Sequence, residues 1–208
     1  MTVANRTGFL SSIALFMVAA GYLVVVAFAM WQIGLDAPIV DPTLAVMEGL
    51  TLLSAPLVVA VMASVYETAR RDRKVFAVMA LVFAGIMAGL TSVVHFVALT
   101  SGRQTDFSAL QWPSTLYAVE LLAWDVFLGL SLLCAALAFV GSGIRAFTRR
   151  SLAVAGGLSL LGAIGPIIGD MALQRIGMLG YGVGLPIAAL ALSRFFYGNE
   201  ESEELRIE

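Results

Sequence analysis

Residues 70–100 read RRDRK-VFAVMALVFAGIMAGLTSVVHFVALT: four cations and one acid in five residues, then a run from Val75 to Thr100 whose single ionisable side chain is His95. About 20 apolar residues suffice to cross the hydrocarbon core of a bilayer as a helix, because each residue advances the axis by about 1.5 Å. The run meets that length. Its basic flank marks the end expected to stay on the cytoplasmic side.

The same pattern recurs in both directions along the chain. Apolar segments are read at Gly8 to Trp31, Thr43 to Tyr66, Val75 to Thr100, Pro113 to Val140, Ser151 to Gly169 and Ile176 to Phe196. They predict an all-α, polytopic transmembrane bundle of about six helices. Composition agrees, with 60% hydrophobic and 12% charged residues and a mean hydropathy of +0.95, against roughly 25% charged residues in soluble domains. Residues 1–197 are read as one six-helix transmembrane domain, because no polar linker or soluble insertion divides them. Residues 198–208, with Glu200, Glu201, Glu203 and Glu204, are read as an acidic, disordered cytoplasmic tail.

Orientation follows from the 12 cations. With six alternating segments, Arg6, Arg70, Arg71, Arg73, Lys74, Arg145, Arg149, Arg150, Arg194 and Arg206 fall on one side and only Arg103 and Arg175 on the other. Positive loops stay cytoplasmic during insertion, so both termini are expected there. One helix fewer or more would scatter the clusters. Arg6 ahead of a run ending in Ala27-Phe28-Ala29 has the outline of a cleavable signal. A signal core is about 7–15 residues, however, and this run is longer, so the first segment is read as a membrane helix anchored by Trp31. The cations sit in short loops and form no nucleic-acid-binding patch. The solitary Cys134 excludes an internal disulfide or a cysteine-built zinc site.

Gly85 and Gly89, Gly165 and Gly169, and Gly180 and Gly184 are each four apart, a spacing that lets helix backbones approach within the bundle or between two copies of the chain. Pro56, Pro166 and Pro186 fall inside segments two, five and six, where each removes a backbone donor and predicts a kink. Segments one to three and four to six would be halves of inverted topology, as in many secondary transporters, although their residues match poorly.

The chemistry is sought where charge is most expensive, because an ionisable group near the bilayer centre costs at least ~2.5 kcal/mol. Glu48, His95 and Glu120 are expected roughly 8–10 Å below the outer boundary and Asp125 roughly 18 Å below it, near the midplane. Asp170 and Arg175 would stand at the mouth of this layer. Glu120 and Asp125, five residues apart, are separated by about 140° on an α-helix, so only one of them is expected beside His95, and depth favours Glu120. Tyr117 and Trp124 share the Glu120 stripe and are candidates for pocket lining. Each polar group has two readings: a binding or proton-relay site, or a neutral, hydrogen-bonded fastener between helices. No spacing of metal ligands or haem ligands is present, so neither a metal nor another cofactor is expected.

The stretches Ser92-Val-Val-His-Phe-Val-Ala-Leu-Thr100, Tyr117-Ala-Val-Glu-Leu-Leu-Ala-Trp-Asp125 and Gly169-Asp-Met-Ala-Leu-Gln-Arg-Ile-Gly177 resemble parts of uncharacterised bacterial multi-helix inner-membrane proteins. The resemblance covers much of segments three to six. It implies a multi-pass protein of the bacterial cytoplasmic membrane and carries no activity with it. Two function classes follow. One is a small transporter or proton-coupled permease, with an outward-facing polar pocket for a proton, cation or small solute. The other is a non-catalytic subunit or sensor whose buried polar groups are structural and which engages a protein partner or another copy of itself. An enzyme is the weakest class, because no nucleophile is paired with a base; Ser92, three residues from His95, is the nearest hydroxyl in sequence.

Overall fold

The computed structural model describes residues 2–34, 39–104 and 112–204, with side chains to 198. Among them the regular elements are all helical. Six helices are long and apolar enough to cross a membrane: α1 (Val3–Ile33), α2 (Thr43–Thr68), α3 (Lys74–Leu99, within the span Arg71–Gln104), α4 (Thr115–Ala138), α5 (Ile144–Ile168) and α6 (Met171–Gly198). The backbone of α6 continues as helix to Glu204, so Gly198 ends the apolar span and not the helix.

Three expected helix starts move well outward, α1 beginning at Val3 instead of Gly8. α5 begins at Ile144 instead of Ser151, taking Arg145, Arg149 and Arg150 into its first two turns, where long cationic side chains can bury their stems and keep their heads in water. α6 begins at Met171 because Asp170 caps it, its carboxylate accepting from the backbone N–H of Ala172 at 2.9 Å and of Leu173 at 3.2 Å. Only Gly169, in the left-handed conformation at φ 78°, and Asp170 separate the two helices.

Each helix packs against its neighbour in sequence, and the C-terminal half of α6 returns to α1. There the Phe196 ring lies 2.7 Å from where a Cβ on Gly8 would stand, and Phe9 meets Tyr197 at 5.8 Å between centroids. The two chain ends therefore share one side of the bundle. On that side Arg70 and Arg145 line a single crevice with Phe195, so the turns after α2 and α4 join the termini. Arg103 on the opposite side is ion-paired to Asp41.

α4 is the hub: 67% of its apolar window is buried inside the bundle, against 11% for α1. α3 supports it with a face of small residues, Ala77, Ala80 and Ala84, close enough for the Ser131 hydroxyl of α4 to donate to the Ala80 carbonyl at 2.8 Å. The opposite face of α3 exposes Val78, Val82, Ile86 and Val93, a surface suited to lipid.

The three glycine pairs have three fates. Gly180 and Gly184 fit against α5, where added Cβ atoms would stand 2.6 Å from the Ala155 carbonyl oxygen and 2.8 Å from its Cβ. Gly165 lies against the start of α6, whereas its partner Gly169 serves the turn. Gly85 and Gly89 meet nothing within 4 Å and lie on the exposed face of α3. Gly89→Ala is therefore expected to leave the melting temperature in detergent unchanged or raised, since alanine is favoured over glycine in a helix by about 1 kcal/mol.

The prolines also differ. Pro56 is accommodated within continuous α2. Pro166 follows a break in α5 at Ala163, where the donor it lacks would have bonded the Gly162 carbonyl. Pro186 follows a wide segment, Gly180–Gly184, whose backbone bonds in the i→i+5 pattern of a π-helix. The missing Pro186 N–H frees the Gly182 carbonyl, and three glycines tolerate the wider turn. A second π segment, Leu122–Leu128, sits in α4 with no proline to mark it.

Candidate functional site

α2, α3 and α4 each bring one ionisable side chain to a common point. His95 lies on the buried face of α3 with Thr91 and Val94, its side chain only 3% exposed. Its Nδ1 donates a hydrogen bond to Glu48 Oε2 of α2. Its Nε2 faces Glu120 Oε1 of α4 at 3.4 Å, an ion-pair separation without hydrogen-bond geometry. The ring is thus bracketed by carboxylates on both nitrogens, one held firmly and one loosely.

Exposure is graded across the three groups. The Glu48 side chain is 14% exposed and that of Glu120 28%. α1 meets α6 mainly through Leu185–Glu204, on the side of the termini, so its other half is not clamped against the first turns of α6. Tyr22 of α1 and Tyr117 of α4 lie within electrostatic reach of Glu120, and Tyr22 also within reach of Glu48.

Asp125 goes elsewhere. Fully buried in the π segment of α4, it accepts at Oδ2 from Gln174 Nε2 of α6 at 3.2 Å. The same Gln174 nitrogen donates to Tyr181 Oη at 3.1 Å, and Tyr181 lies in the π segment of α6. Trp124 packs on the Tyr181 ring at 5.5 Å between centroids. Asp125 Oδ1 has no hydrogen-bond partner among the described residues and rests against the backbone of Gly177. The two wide segments therefore face one another across a largely buried, polar contact.

The π segment also changes the angle expected from sequence. Spreading each turn over an extra residue reduces the expected 140° between Glu120 and Asp125 and leaves them within electrostatic reach of each other. It turns Trp124 toward Tyr181 of α6, while Tyr117 packs on Trp112 at 6.4 Å. Asp170 is the N-cap of α6, and Arg175 is an exposed residue of its second turn.

Gln174, Gly177 and Tyr181 do not stand out in the sequence. A neutral amide or phenol costs less to insert than a charge, so a search weighted by insertion cost passes over it. The signal they do carry is one of spacing: Gln174 and Tyr181 are seven residues apart, two turns along one face of a helix.

Chemically, the Glu48–His95–Glu120 group can hold and pass protons. Imidazole accepts a proton at one nitrogen while releasing one from the other, and here each nitrogen has a carboxylate as partner. The carboxylates lie at opposite edges of the ring and do not converge on one centre with it; among the described residues no three His, Cys, Asp or Glu side chains form a set that could hold a metal ion. Comparison of the chain with protein-family models, curated proteins and solved structures finds no match.

Proposed function

We propose that this chain is a small proton-coupled permease of the bacterial cytoplasmic membrane, with both termini cytoplasmic and an outward-facing pocket built on Glu48, His95 and Glu120. The observation that carries the reading is the bracketed imidazole: a buried His95 with Glu48 at Nδ1 and the more exposed Glu120 at Nε2. The cations gathered at the end of the termini support the orientation, since positive loops stay cytoplasmic.

Charge counting indicates how such a site would couple. Two carboxylates and one imidazole are neutral when they share two protons. Any other occupancy leaves net charge inside the bilayer, which is costly. Replacing one proton by a monovalent cation or a protonated amine preserves neutrality, so proton and cationic substrate compete for one place. Glu120 is the entry group, because it is the most exposed and the least tightly held. Glu48 fixes the ring and its tautomer.

Purified protein in liposomes carrying an internal pH indicator tests this directly. An imposed sodium, potassium or small-amine gradient should drive proton movement above that of empty vesicles. Glu120→Gln should reduce the rate about 10²-fold, the usual contribution of a positioned proton-transfer group, without lowering the melting temperature. If wild-type vesicles match empty ones across these cations and a range of pH gradients, the permease reading is overturned.

The Asp125–Gln174–Tyr181 contact favours a second reading, a membrane subunit or sensor whose buried polar groups are fasteners. It joins two helices through a carboxylate and an amide that are both buried. If that reading holds for the whole chain, neutralising Glu120 should reduce folded yield and leave no transport to lose.

A further inference from the structure

A shallow groove runs between α5 and α6 on the flank of the bundle, lined by Arg150, Ser151, Val154, Gly184 and Ile187. It exists because Gly184 draws the helices together; its Cβ position lies 2.8 Å from the Ala155 Cβ. The floor there carries no bulky side chain, while Val154 and Ile187 rise on either side, 59% and 45% exposed. Away from the termini the apolar flank continues through Leu161 and Val183, 50% and 48% exposed, and past Gly157, which has nothing within 4 Å.

The other end is cationic. Arg150 lies one turn from Val154 along α5, about 6 Å, and Arg194 lies two turns from Ile187 along α6, about 10 Å, both toward the termini. Both are exposed. Neither has a salt-bridge partner among the described residues. The Ser151 hydroxyl donates to the Phe147 carbonyl at 3.0 Å, so recognition of an anion falls to the arginines. An apolar groove open sideways, with one exposed arginine on each of its two helices toward the termini, matches a molecule with a hydrocarbon tail and a negative head.

We propose that this groove is a binding site for one anionic phospholipid, its acyl chain along Val154, Gly184 and Ile187 and its phosphate between Arg150 and Arg194. The site is separate from the Glu48–His95–Glu120 group and does not depend on the permease reading.

Native mass spectrometry of the detergent-solubilised protein tests it, with phosphatidylglycerol and phosphatidylcholine of identical acyl chains as probes. Phosphatidylglycerol should be retained roughly 30-fold over phosphatidylcholine, as expected for two surface cations facing one anionic headgroup. The R150Q/R194Q double variant should bring retention down to the phosphatidylcholine level. Val154→Trp, or Ile187→Trp as a second variant filling the groove from the other helix, should displace the lipid while both arginines remain. All four positions are exposed, and a lipid-free melting curve identifies any variant that is misfolded. Equal retention of the two lipids, or retention unaffected by the arginine or tryptophan changes, overturns the proposal. So does full competition by glycerol phosphate or inorganic phosphate, which would show that the groove contributes nothing.

Discussion

Replacing His95 with asparagine is expected to bring proton flux in liposomes down to the level of empty vesicles, a loss of about 10²-fold or more, in a protein that remains folded. The substitution keeps one function of the ring and removes the other. An amide N–H can still donate to Glu48, so the α2–α3 contact made by Nδ1 survives. What is lost is the group that takes a proton at one edge and releases it at the other. Alanine removes the donor as well and leaves Glu48 with an unmet acceptor in a site only 14% exposed, so His95→Ala is expected to lose folded yield in addition to flux. Melting curves measured beside the flux assay separate the two effects. If His95→Asn transports at the wild-type rate, His95 is a fastener and the relay is wrong. If asparagine and alanine lower the melting temperature equally, the Nδ1 bond contributes nothing that asparagine retains.

The spans were legible because an apolar run of about 20 residues, repeated six times between short charged loops, fits a membrane helix and little else. The level of the site was legible too: depth counted along each helix puts Glu48, His95 and Glu120 in one layer, and the three meet. Which way a helix is rotated was not. Gly85 and Gly89 have the same spacing as Gly180 and Gly184, yet the first pair faces outward and the second meets α5, because spacing gives a stripe and only the neighbours decide what it touches. Asp125 illustrates a further limit. Its cost in an apolar helix was readable, but its partner Gln174 lies on α6 and was hidden by the low insertion cost of an amide. The π segment that turns it there has no proline or glycine motif within Leu122–Leu128 to announce it. A wide turn of this kind arises from packing across helices, which a pattern read along one helix does not contain.

That packing is concentrated where Gly162, Gly177 and Asp125 meet, and the largest structural effect is expected there. A Cβ on Gly162 would stand 2.5 Å from both the Cα and the N of Gly177, so α5 and α6 touch backbone to backbone. A Cβ on Gly177 would fall on the Asp125 carboxylate and lie 3.2 Å from the Gly162 Cα. Overpacking of this kind costs typically about 1–3 kcal/mol and more where nothing can yield. Gly162→Ala should be the more severe change, because only main chain opposes it and the helices must separate. In Gly177→Ala the Asp125 side chain can swing away, at the expense of its 3.2 Å bond to Gln174. The expected order of melting temperatures in detergent is therefore Gly89→Ala at or above wild type, then Gly177→Ala, then Gly162→Ala, with folded yield by size-exclusion chromatography falling in the same order. Adding Asp125→Ala to Gly177→Ala should recover part of the loss, since it removes the carboxylate that the new methyl displaces; two independent sites would instead add their costs. A Gly162→Ala protein as stable as wild type would mean that α5 and α6 do not approach this closely. The buried Asp125 contact would then not be a fastener held in place by the glycines around it.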